Sequence, residues 1–266
     1  MLGKLFKHDM AAVSRYLLPL HGVLILLTLV GRLLVSVTKT TALPRYVSTT
    51  CLIIYTLYII FVACATIIYL ISYFYKTMYG LEGYLTFTLP AKPWQLLASK
   101  TISAVLWELI DGVLVVLSII TLVMTKEVWT AAINELPDIF SRFQETYGFG
   151  LGTGIILPMV FCALASLTQG MLFFYLCLSI GQLSNKHRVA IAVGAFFGIN
   201  IILQIISTTM VFSILPNSSY LYGRSGIEEL ASLPRFLWTG FGVSVLLCVV
   251  FWLITNYIMN RKLNLL

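Results

Sequence analysis

The sequence predicts an all-α, polytopic membrane protein with about six transmembrane helices, and three observations carry that prediction. Of the 266 residues, 59% are hydrophobic and only 10% are charged, with a mean hydropathy of +0.96. A soluble domain carries about 25% charged residues, and a water-soluble fold cannot hide this much apolar surface. The apolar residues also fall into runs long enough for a hydrocarbon core about 30 Å thick, which takes about 20 residues of helix to cross. Finally, these runs do not alternate as the strands of a membrane barrel do, over about ten residues each. Backbone groups in lipid must pair within helices or closed barrels, so helices remain.

The N-terminal segment, residues 2–15, places Leu2, Leu5, Phe6, Met10 and Val13 at helical spacing, with Lys4, Lys7, His8 and Arg15 elsewhere on the wheel. This predicts an interfacial amphipathic helix, apolar toward acyl chains and basic toward headgroups, ending at the break that Pro19 offers. A plain extension of the first span is the other reading. Six runs follow, at about 17–37, 47–73, 101–125, 151–180, 189–215 and 236–258, within a single transmembrane domain of residues 1–266. The second and fourth exceed the core thickness and should tilt or protrude, and Pro158 suggests a break in the fourth. Between the third and fourth runs, Trp129, Ile133, Leu136, Phe140, Phe143 and Tyr147 mark one helical face interrupted at Pro137. Such a helix rests on the outer leaflet or packs over the ends of neighbouring spans. The run beginning near Tyr16 lacks a small-residue cleavage pattern, so no cleaved leader is expected.

Basic residues orient the bundle. One set of loops holds ten: Lys4, Lys7, Arg15, Lys76, Lys92, Lys100, Lys186, Arg188, Arg261 and Lys262. The opposite set holds six, Lys39, Arg45, Lys126, Arg142, Arg224 and Arg235, together with Glu127, Glu135, Asp138, Glu145, Glu228 and Glu229; Arg32 lies inside the first run. Both termini are therefore expected in the cytoplasm of a cell with this multi-pass protein in its cytoplasmic membrane. The net charge of +7 reflects these loops and membrane lipid rather than nucleic acid. Cys51, Cys64, Cys162, Cys177 and Cys248 sit in apolar runs without metal-ligand spacing, and His8, His21 and His187 are scattered. No metal site, bound cofactor or catalytic motif is expected.

The segment between runs two and three, residues 74–100, reads FYKTMYGLEGYLTFTLPAKPWQLLASK. Gly80 and Gly83 bracket Leu81 and Glu82, while Pro90 and Pro93 impose extended backbone before the third span. A short structured element is thus held between two helices on the inner side, presenting Glu82 and several tyrosines.

This stretch resembles permeases of the ABC-2 type (type V exporter-like) of ATP-binding cassette transporters from Firmicutes and related gut bacteria. The likeness runs through Tyr79, Gly80, Glu82, Gly83, Tyr84, Leu85, Thr86, Leu89 and Pro90, then Leu96, Leu97, Ser99 and Lys100. It is joined by Gly181-Gln182-Leu183 with Lys186-His187-Arg188, and by both chain ends. The resemblance implies a cytoplasmic coupling helix between spans two and three, with Tyr79, Gly80, Leu81, Glu82, Gly83 and Tyr84 contacting an ABC-type ATPase subunit. A turn that merely orients span three is the alternative. Gly181, Gln182, Lys186, His187 and Arg188 would form a second inner contact, or a simple basic anchoring turn. The resemblance further implies a homodimer, or a heterodimer with a second permease, above ATPase subunits that hold ATP and Mg. This chain encodes no phosphate-binding loop: its sole Gly-Lys pair, Gly3-Lys4, follows no glycine-rich stretch.

Polar residues inside spans are functional-site candidates by default. Glu108 and Asp111 lie on one face of span three, where they meet a cationic substrate or a partner helix, or stay near the headgroups. Asn200, Gln204 and Thr208 form a stripe on span five, after the Gly194/Gly198 step, and suit a dimer seam or a substrate pathway. Tyr55, Tyr58, Thr66, Tyr69 and Tyr73 of span two line a lateral cleft or pack within the bundle. The leading expectation is a permease exporting a peptide or lipid-like amphipathic substrate by alternating access. The rivals are a peptide-toxin sensing or immunity subunit, and a lipid-modifying membrane enzyme using Glu108 and Asp111. Reporter fusions after Thr40, Leu85, Asp138, Lys186, Ser225 and Leu266 are expected to alternate outside, inside, outside, inside, outside, inside. Two adjacent reporters on the same side would remove the span between them.

Overall fold

The computed structural model describes residues 2–40, 45–88, 90–184, 186–214 and 226–261. The regular elements among them are all helical: α1 (Leu2–Thr40), α2 (Arg45–Tyr79), α3 (Leu81–Thr88), α4 (Pro93–Val123), α5 (Lys126–Tyr147), a π-helical turn (Gly152–Ile156), α6 (Leu157–Gly181), α7 (Arg188–Ile214) and α8 (Gly226–Arg261). Among the described residues, six segments are long and apolar enough to cross a membrane: Leu2–Leu34, Thr49–Tyr79, Pro93–Val123, Gly152–Gly181, Arg188–Thr209 and Leu233–Asn260. The chain is an all-α polytopic membrane protein. Leu89, Lys39, Arg45, Arg224, Glu127, Glu228, Glu229, Arg261 and Lys262, used above for motif or charge, have side chains outside the described residues.

Three prolines do less than expected. α1 runs unbroken through Pro19, so the N-terminal segment is one helix with the first span rather than a separate interfacial helix. The reason lies in its buried stripe, Asp9, Val13, Leu17, His21, Leu24 and Thr28. These residues recur every three or four positions on one face, so the same neighbours hold the helix on both sides of Pro19 and compensate its missing N–H. α5 likewise continues through Pro137, and its row of Trp129, Ile133, Leu136 and Phe140 is exposed. At Pro158 the helix shifts register instead of breaking. The Leu157 N–H reaches Gly152 O, one residue further back than in an α-helix, and Pro158 falls in the first turn of α6, where no N–H is needed.

Contacts divide the chain into two compact units, residues 1–133 and 134–266, with the division inside α5. In the first unit α1 packs on α4 and α2, and α3 leans on α2. In the second unit α6 packs along α8 and beside α7, while α7 and α8 touch little. The second core gathers Leu172, Phe173, Leu176, Cys177, Phe251 and Ile258. Phe173 sits at its centre, 5.3 Å from Phe196 and 6.1 Å from Phe251 between ring centroids.

Helix ends follow local chemistry. α4 begins with Pro93 in its first turn, after an extended Lys92 (φ −72°, ψ 146°) whose N–H donates to Gln95 Oε1 at 3.1 Å. Its far end is closed by Arg32, which donates to the carbonyls of Met124 (2.9 Å) and Leu122 (3.4 Å). A guanidinium suits a helix C-terminus, where unpaired carbonyls carry partial negative charge. α5 ends on Gly148 in the left-handed region (φ 75°), with its N–H on Gln144 O at 2.9 Å. At the α6–α7 turn, a Cβ on Gly181 would lie 2.6 Å from Arg188 O and 2.8 Å from Ala192 Cβ. Gly181→Ala is therefore expected to lose about 1–3 kcal/mol of stability by forcing α7 off α6. Gly242→Ala, inside α8 with nothing near its Cβ position, serves as the control and is expected to hold or raise stability, by up to about 1 kcal/mol. Thermal unfolding in detergent, followed by tryptophan fluorescence, checks the difference.

Candidate functional site

In the first unit, a line of polar residues runs along the seam between α1, α2 and α4. Its anchor is Asp9, buried at 3% exposure. One carboxylate oxygen accepts from Tyr73 Oη (2.8 Å) and Lys100 Nζ (2.5 Å), and the other from Ser99 Oγ (2.5 Å). The Lys100 ammonium also lies 4.1 Å from the centre of the Tyr73 ring. Three helices thus converge on one carboxylate, and Lys100, at 6% exposure, is a core residue rather than the loop cation expected above. Removing it from the inner-loop count leaves nine basic residues there against six.

About 18 Å further along α1, twelve residues at 1.5 Å rise, lies a second pair. His21 Nδ1 is 2.7 Å from Leu17 O, and Nε2 is 3.2 Å from Asp111 Oδ1. A carbonyl only accepts, so Nδ1 carries a proton. The proton between Nε2 and Oδ1 then makes either an imidazolium–carboxylate pair or two neutral groups, and the net charge is zero in both. The His21 ring stacks with Trp107, centroids 6.1 Å apart. Asp111 is thereby committed to a partner helix of its own unit. Glu108 is not: its Oε2 is buried without a hydrogen bond, within electrostatic reach of Asp111. Thr66 Oγ1, Ser103 Oγ and Trp107 Nε1 are also buried and unpaired, and they lie on the stripes between the two pairs. At the far end Tyr55 Oη donates to Ser118 Oγ at 2.6 Å, since Ser118 itself donates to Val115 O. Tyr58 Oη donates to Leu20 O. Both tyrosines therefore bind neighbouring helices.

Beside the Asp9 cluster stands α3. Gly80 makes the turn possible, because a Cβ there would sit 2.7 Å from Lys76 O. Its N–H bonds Tyr75 O at 3.0 Å, and the Gly83 N–H bonds Gly80 O at 2.9 Å. Tyr79 is buried, edge-on to Phe74, and Gly83 is buried. Leu81 (92% exposed), Leu85 (73%) and Tyr84 (51%) are not. Glu82 is exposed yet lies within electrostatic reach of Lys100 and Tyr73. Of the six residues expected to contact a partner, two are thus inward-facing scaffold, Gly80 forms the turn, and Leu81, Glu82 and Tyr84 face outward.

In the second unit, Gln182 is buried at the end of α6, whereas Lys186 and His187 are exposed and Arg188 opens α7. Nothing in the described chain approaches the Cβ positions of Gly194 or Gly198. Asn200 and Gln204 point into a groove between α6, α7 and α8 that also holds Gln169, while Thr208 is exposed outside its lining. Among the described residues no group of three His, Cys, Asp or Glu side chains is placed to hold a metal ion.

Comparisons with protein-family models, curated proteins and solved structures find no match for this chain. The Asp9 and His21 pairs had no signature in the sequence, since their partners are about 90 positions away on other helices. The one available signal was an acid and a histidine on the stripe that also carries Val13, Leu17 and Leu24. The geometry makes the Asp9 cluster a lock between three helix ends. Lys100→Met strands a buried carboxylate and is expected to cost about 3–5 kcal/mol. Asp9→Asn combined with Lys100→Met should cost less than the sum of the two single changes. Thermal midpoints of the four proteins in one detergent measure the coupling, and additive losses would show that the pair is not formed.

Proposed function

We propose that this chain is the membrane-spanning permease subunit of an ATP-binding cassette transporter, lying in the cell membrane with both termini in the cytoplasm. The observation that carries the reading is α3. An eight-residue helix that exposes Leu81, Leu85 and Tyr84 at the end of two spans is built neither as core nor as a solubilising loop. Exposed apolar side chains on a short fixed element mark a surface that a partner covers. The element also carries the Tyr-Gly-x-Glu-Gly-Tyr-Leu-Thr signature through which the chain resembles ABC-2 permeases.

The mechanical logic follows from the lock beneath α3. α2 enters α3 through the Gly80 turn, and Tyr73 on α2 shares Asp9 with Ser99 and Lys100 on α4 and with α1 itself. Force applied to α3 is therefore delivered to three helix ends together. In this reading a separate ATPase, holding ATP and Mg, docks on α3 with Gly181–Arg188 as a second contact. Two permeases, identical or different, stand above two ATPase subunits. Their closure switches the pathway from inward to outward exposure and exports a peptide or lipid-like amphipathic substrate.

The test is capture of the ATPase from the native cell on tagged protein. Leu81→Asp places a charge in the docking face, and Glu82→Ala removes a carboxylate whose loss from a buried interface costs about 2–5 kcal/mol. Both are expected to lower ATPase recovery at least tenfold without changing the thermal midpoint of the isolated chain. Glu135→Ala on α5 should recover wild-type amounts. Wild-type recovery with both α3 variants would overturn the docking role of α3. Absence of any ATPase on the unaltered chain would overturn the transporter reading.

A further inference from the structure

Resting on the transporter reading, we propose that the groove of the second unit is a binding site for an uncharged, amide-bearing chain, a short apolar peptide segment with its backbone extended. The groove has a volume of about 380 Å³ and opens between α6, α7 and α8. Its polar lining consists of Ser166, Gln169, Asn200, Gln204, Ser207 and Ser244, with no acidic or basic residue. Most of these lie near the middle of their spans, where hydrocarbon surrounds the protein. Asn200 spends one donor on Phe196 O at 3.1 Å. Gln169 and Gln204 make no hydrogen bond among the described residues.

The chemistry of the occupant follows. Each carboxamide offers two donors and one acceptor, and at this depth an unmet amide costs several kcal/mol. Acyl chains leave all of them unmet. A charged ligand finds no counter-charge. A helical segment has already spent its backbone groups internally. An extended peptide backbone presents an N–H and a C=O at every residue, which carboxamides match reciprocally, while Leu203, Phe236 and Leu247 receive its apolar side chains. The volume falls within the roughly 300–1,000 Å³ of small-ligand sites. The sparse contact between α7 and α8 is what leaves this space open.

Two features of the lining make the site measurable. Cys162 lies in the wall, and a Cβ at Gly240 would meet its Sγ at an ordinary 3.7 Å. Gly240→Leu therefore fills the groove from a helical position that gains helix propensity. The chain, with Cys51, Cys64, Cys177 and Cys248 replaced by alanine, is placed in lipid nanodiscs and treated with N-ethylmaleimide. The probe is an N-acetylated, C-amidated pentapeptide of leucine and alanine. It is expected to slow labelling of Cys162 saturably, and native mass spectrometry should count one peptide per chain. Gln169→Leu and Gln204→Leu should each weaken binding about tenfold, and Gly240→Leu should abolish it while the thermal midpoint holds. A depsipeptide of the same side chains, whose esters lack N–H donors, should bind at least tenfold more weakly. The proposal is overturned if no peptide binds by mass spectrometry, if the depsipeptide or added phospholipid protects equally, or if the glutamine variants bind like the parent. No ATPase enters this assay, so its failure is separate from failure to capture an ATPase on α3.

Discussion

A carboxylate sealed into a membrane protein has to be met by donors, and much of the first unit is organised around meeting one. Asp9 receives a hydroxyl from α2 and a hydroxyl and an ammonium from α4. A buried charge without such partners would cost several kcal/mol. With them, three helix ends are held in one geometry, because no donor can leave without exposing the charge. The Tyr73 ring adds to this by covering the ammonium. α3 inherits a fixed base from the arrangement: its Gly80 turn starts seven residues after Tyr73, and α4 starts seven residues before Lys100.

The two units handle polar groups in opposite ways. In the first, acids and bases are buried and matched, Asp9 with Lys100 and Asp111 with His21. Only a few atoms, such as Glu108 Oε2 and Thr66 Oγ1, go unmatched. In the second, Ser166 and Gln169 of α6 and Asn200, Gln204 and Ser207 of α7 are neutral carboxamides and hydroxyls that face a groove. Matched charges make a rigid seam, since opening it is expensive. Unmatched neutral amides make a surface that accepts new partners at modest cost.

Much of the fold was legible because lipid leaves the backbone few choices. The six spans follow from apolar length, and α3 follows from Gly80 with Pro90 and Pro93, whose backbone preferences are local. What escaped was whatever depends on a neighbour. Pro19 and Pro137 read as breaks by local rules, yet packing along Asp9, Val13, Leu17, His21 and Leu24 carries α1 straight through the first. Lys100 counted as a loop cation because seven residues separate it from Pro93, and only the position of Asp9 reveals that it is core. Gly194 and Gly198 read as a step for a dimer seam, and no part of the described chain lies within 4 Å of their Cβ positions. Of the stripe of Asn200, Gln204 and Thr208, the first two line the groove and Thr208 lies outside its lining.

The lock also sets an order of events during synthesis. Asp9 is made early, but its partners lie 64, 90 and 91 positions downstream. At about 5–20 residues per second, the ribosome supplies Lys100 some 5–18 seconds after Asp9. Until then the nascent α1 carries an unmatched acid, and it must either hold that end in the headgroup layer or rely on the insertion machinery to shelter it. Emergence of α4 is thus the earliest moment at which α1 can settle against its charged partner.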